Sequence, residues 1–75
     1  MIFLIEYDRP AGRLVNLKPF DDVQQLEAER LRLEIELDLN RRGIAHEVVL
    51  LQAQSEEVLR RTQRRYFESL SQLSS

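Results

Sequence analysis

Residues 31–39, LRLEIELDL, alternate apolar and polar without interruption. Strict alternation is the mark of a half-buried strand. The flanks of the segment argue the other way. Asp21 or Asp22 offers a helix N-cap, and Asp22 with Gln25 has the spacing of a capping box. At the far end, Arg41 and Arg42 complement the negative terminus of a helix. Gly43 suits the left-handed residue that closes one, and Leu39 with Ile44 then form the apolar pair of a Schellman ending. Leu, Glu, Arg, Gln and Ala dominate 21–42, and all are good helix formers. A capped helix over 22–42 explains more residues than a strand over 31–39. The strand remains the alternative, and it would turn 31–53 into a hairpin.

The alternation has a consequence on a helix. At about 100° per residue the apolar side chains separate into two stripes. Val23, Leu26, Leu33 and Leu37 lie on one side, and Ala28, Leu31, Ile35 and Leu39 on nearly the opposite side. One stripe can pack on a sheet. The other needs a second helix or a second copy of the chain.

The rest of the chain supplies that sheet. Residues 2–7, IFLIEY, are β-branched and aromatic and read as a strand. DRPAG at 8–12 is turn chemistry, and RLVNLK at 13–18 reads as the second strand of an antiparallel hairpin. Residues 45–53 form a third strand, and Ser55 caps a last helix over 56–70, with a frayed tail beyond. The order is β-β-α-β-α, an α+β fold with a three-stranded, mainly antiparallel sheet and the first strand central. The first and third strands are apolar on both faces, so both faces want cover.

At 75 residues the chain is one domain near the lower size limit for folding alone. It has no cysteine, so neither a disulfide nor a thiolate metal site can add stability. Tight packing or self-association remains. The overhang of a 22–42 helix beyond its sheet, the second apolar stripe and the two-sided strands together predict a homodimer. The N-terminal segment MIFLIEYD matches neither a secretory signal nor a membrane span, so a cytoplasmic location without membrane contact is the expectation.

Little in the chain suggests catalysis. His46 is the single histidine, and Glu47 points to the other face of the same strand. Neither a metal set nor an acid–base–nucleophile arrangement follows from it. Gly12 and Gly43 are isolated, so no phosphate-cradling loop exists. Asp21 and Asp22 read as caps. The expectation is a protein that is not an enzyme and has no cofactor, metal or small-molecule substrate.

Charge is distributed unevenly. Residues 1–20 sum to +1, 21–39 to −5 and 40–75 to +2, for a net charge of −2. Ten of the eleven bases are arginine. The segment RRTQRRYF at 60–67 puts Arg60, Arg61, Arg64 and Arg65 on the helix face opposite Leu59, Thr62, Tyr66, Leu70 and Leu73. Glu57 and Glu68 stand where they can neutralise part of that face, which reads as a solvated surface more than a phosphate site.

The combined expectation is a small interaction module that self-associates. Leu26, Leu33 and Leu37 would make the apolar contact, with Arg61, Arg64 and Arg65 as a charged rim, the basic last helix of one copy docking on the acidic helix of another. A second possibility is nucleic-acid binding by Arg41, Arg42, Arg60, Arg61, Arg64 and Arg65. A third is docking of the basic helix on another acidic protein.

Overall fold

The structure is a computed structural model, and it describes residues 1–67. Strands β1 (Ile2–Asp8), β2 (Arg13–Phe20) and β3 (His46–Gln52) form one antiparallel sheet in the order β2-β1-β3. Helix α1 (Gln25–Arg42) links β2 to β3, and α2 (Glu56–Thr62) follows β3. This is the expected β-β-α-β-α order with the first strand central.

The β1–β2 turn is tied to one residue. The Asp8 carbonyl accepts from the Gly12 amide at 2.7 Å, and its carboxylate accepts from the Ala11 amide at 3.1 Å. Gly12 takes a φ of 67°, which a residue with a Cβ adopts at a cost. Strand β2 runs two residues past its expected end, through Pro19. It lies at the sheet edge, where a missing N–H breaks no ladder. A bulge intervenes where Glu6 pairs Asn16 but Tyr7 pairs Leu14, leaving Val15 as the extra, exposed residue.

Residues 31–39 are helical. The capping box sits one residue earlier than expected: the Gln24 side chain accepts from the Asp21 amide at 3.0 Å, and a short 3-10 turn over Asp22–Gln24 leads into α1. The C-terminus closes as the sequence predicts. Gly43 has a φ of 67°, its amide donates to Asn40 at 3.2 Å, and the Ile44 amide donates to Leu39 at 2.9 Å.

The last helix is shorter than the expected 56–70. The Ser55 hydroxyl caps it by accepting from the Val58 amide at 3.2 Å. It ends at Thr62, whose hydroxyl bonds back to the Val58 carbonyl at 2.9 Å. Gln63 leaves helical geometry, and Arg64–Tyr66 form a 3-10 turn. The expectations for Glu68, Leu70, Leu73 and the frayed tail lie outside the described residues.

The core has two halves, one on each face of the sheet. Ile2, Leu4, Phe20 and Val48 pack with Ala28 and Leu39 of α1, flanked by Leu31, Ile35, Ile44 and Leu50. Phe3 and Ile5 pack on the other face with Leu59 and Tyr66, flanked by Tyr7, Leu17, Val49, Leu51 and Phe67. Each helix thus covers one face. The two-sided strands are satisfied within the protomer and no longer speak for a dimer.

Candidate interaction surface

Ala28, Leu31, Ile35 and Leu39 are the stripe that meets the sheet. The other stripe is left in solvent: Val23 is 93% exposed, Leu26 64%, and Leu33 and Leu37 each 54%. Arg30 is exposed between them. The positions 23, 26, 30, 33, 37 and 40 follow the three-four spacing of a helix-pairing seam. From Leu26 to Leu37 the seam runs about 17 Å at 1.5 Å per residue, and Val23 precedes it in the 3-10 turn. Scattered exposed apolar residues are ordinary, but a row along one helix face opposite a packed one makes this face the candidate contact surface.

The charges beside the seam are only partly paired. Arg32 bonds Glu36 at 3.4 Å and Arg42 bonds Asp38 at 3.1 Å, both along the helix. Gln24 bonds Glu27 at 3.4 Å. Arg30, Glu34 and Arg41 have no ion pair among the described residues. Arg30 precedes Glu34 by four residues, the weaker orientation for such a pair.

The arginines of the C-terminal segment lie on the other side of the sheet from α1, so Arg61, Arg64 and Arg65 do not border the Leu26–Leu37 stripe in the same protomer. Arg41 and Arg42 end α1, which covers the opposite face of the sheet from α2. Arg60 bonds Glu56 at 3.0 Å and stands over the Phe67 ring at 4.5 Å. Arg61 bonds Glu57 at 3.2 Å. Arg65 bonds Glu47 at 2.9 Å and stacks on Tyr66 at 4.3 Å. Arg64 is exposed.

Glu47 is the hub of that face. Its carboxylate accepts from the Tyr66 hydroxyl and from Arg65, and Arg9 approaches at 3.8 Å. Tyr66 meets Tyr7 edge to face at 5.3 Å. Burial raises the Tyr66 phenol above its ordinary range. The hydrogen bond and charge of Glu47 add to that, and Arg65 opposes it. Strand alternation placed Glu47 on this face, but nothing local in the sequence paired it with a residue nineteen positions away.

On the α1 face the His46 ring sits between two carboxylates. Its Nδ1 lies 2.6 Å from Glu6 and its Nε2 3.7 Å from Asp8. The β1–β3 register sets His46 directly opposite Asp8, so the cluster follows once the strands are aligned. The adjoining groove, of ≈ 310 Å³, is lined by Glu36, Leu39, Asn40, Ile44, His46, Glu47 and Val48 and offers no hydroxyl or thiol nucleophile. Among the described residues no group of three or more His, Asp or Glu is arranged to hold a metal. No helix among them is long and apolar enough to cross a membrane. Comparison of the chain with family models, curated proteins and solved structures found no match.

Proposed function

We propose that this protein is a small interaction module whose function is self-association, most simply as a homodimer, through the outer face of α1. One observation carries the reading: Leu26, Leu33 and Leu37 form a row of exposed leucines on a helix whose opposite face is already buried. The fold itself does not need them, so a partner surface is the economical explanation for their spacing. A dimer held by one helix face exchanges with monomer, so its population follows protein concentration.

The arginine surface is the weaker candidate. Arg60, Arg61 and Arg65 are each held by a carboxylate of the same chain, which leaves fewer free cations to displace counterions from a nucleic acid. Solution mass by light scattering, at low and at high salt and over a range of concentrations, tests the reading. A dimer that persists at high salt is expected from an apolar seam. A monomer under all conditions contradicts it. The arginine face, tested with single-stranded RNA and with an acidic protein at low salt, would then be the better candidate.

A further inference from the structure

We infer that α1 pairs antiparallel with α1 of a second copy, about a two-fold axis passing between Arg30 and Leu33. This rests on the self-association proposed above and adds its direction and register. The seam residues decide the direction. In a parallel pair each seam residue faces itself, so Arg30 would meet Arg30. Asp21, Asp22 and Glu27 would also gather at one end of the pair.

In the antiparallel pair Arg30 of one copy faces Leu33 of the other, Leu26 faces Leu37, and Val23 faces Asn40. Among the described residues Arg30 has no ion pair, and neither does Glu34. The antiparallel register brings Arg30 to the level of Glu34 of the second copy. It also sets Arg41, which has no ion pair among the described residues, at the level of Asp22 of the other copy. The acidic start of each helix lies against the basic end of its neighbour, and the helix dipoles oppose. A single charged residue in an apolar seam fixes register at some loss of affinity, which is the role assigned to Arg30. The contact is isologous and closes after two copies.

The absence of native cysteine permits a direct test. Leu26→Cys and Leu37→Cys are each made in the full chain, and one is isotope-labelled. The two are oxidised separately and as a mixture at a concentration where the unsubstituted protein is dimeric. Both sites are exposed, so the fold tolerates the change. Each variant alone should stay unlinked, and the mixture should give the Leu26→Cys/Leu37→Cys disulfide, severalfold above both self-linked species together. Self-linked species from the separate variants would establish a parallel pair and overturn the inference. No disulfide at all, with the unsubstituted protein dimeric by mass, would move the interface elsewhere and overturn it too. A monomeric unsubstituted protein would instead remove the self-association reading itself.

Discussion

Leu37 and Leu39 stand two residues apart on α1 and face opposite ways, Leu37 being 54% exposed and Leu39 only 6%. The same residue type at this separation serves two purposes. Leu39 is core, in contact with the sheet and with Ile44 beyond the helix end. Leu39→Ala should destabilise the protein by about 2–5 kcal/mol, the usual cost of truncating a buried leucine. Leu37→Ala, measured in dilute protein by denaturant unfolding, should cost under about 0.5 kcal/mol. Equal losses at both sites would mean that the outer stripe belongs to the core.

Gly43 tests the helix ending. A Cβ there would meet nothing within 4 Å, so only the φ of 67° opposes a side chain. Gly43→Ala should therefore cost about 1–2 kcal/mol, the strain of a left-handed residue, without loss of packing. Gly43→Asn should recover part of it, because asparagine tolerates this conformation better. Thermal unfolding of the two variants checks the order.

Alkaline pH should weaken the α2 face. The folded-state pKa of Tyr66 is raised, so its contribution to stability is complete below the ordinary tyrosine value of about 10. It is lost as pH rises above that value and through the raised one. Tyr66→Phe removes the hydroxyl and its bond to Glu47, which should cost about 1 kcal/mol at neutral pH. It should also remove Tyr66's share of the alkaline decline. Unfolding free energies across the alkaline range separate the two effects.

Much of the fold is legible in the sequence because its ends are marked by local chemistry. Asp21, Gly43 and Ser55 fix three helix termini whatever the tertiary structure does. The alternation at 31–39 misleads only if those termini are ignored. Two features are not legible. The break after Thr62 lies among good helix formers, where propensity differs by a few tenths of a kcal/mol per residue. What outweighs it is long-range: the burial of Tyr66 against Tyr7 and its bond to Glu47. The two-sided strands are the second. Their pattern says that both faces are covered but not by what, and the structure places one helix on each. The candidate surface was half visible. Periodicity finds Leu26, Leu33 and Leu37, whereas the separation of Arg61, Arg64 and Arg65 from them depends on which face α2 takes.

Leu33→Arg tests self-association through α1 most directly. Light scattering on a sizing column would be paired with circular dichroism on the variant and the unsubstituted protein at equal concentration. An arginine at position 33 would face Arg30 of the second copy, so two like charges would meet across the seam and be desolvated without a partner. The expected result is a dimer for the unsubstituted chain and a folded monomer for the variant. A variant that remains dimeric, or an unsubstituted chain that is monomeric throughout, would contradict the proposal.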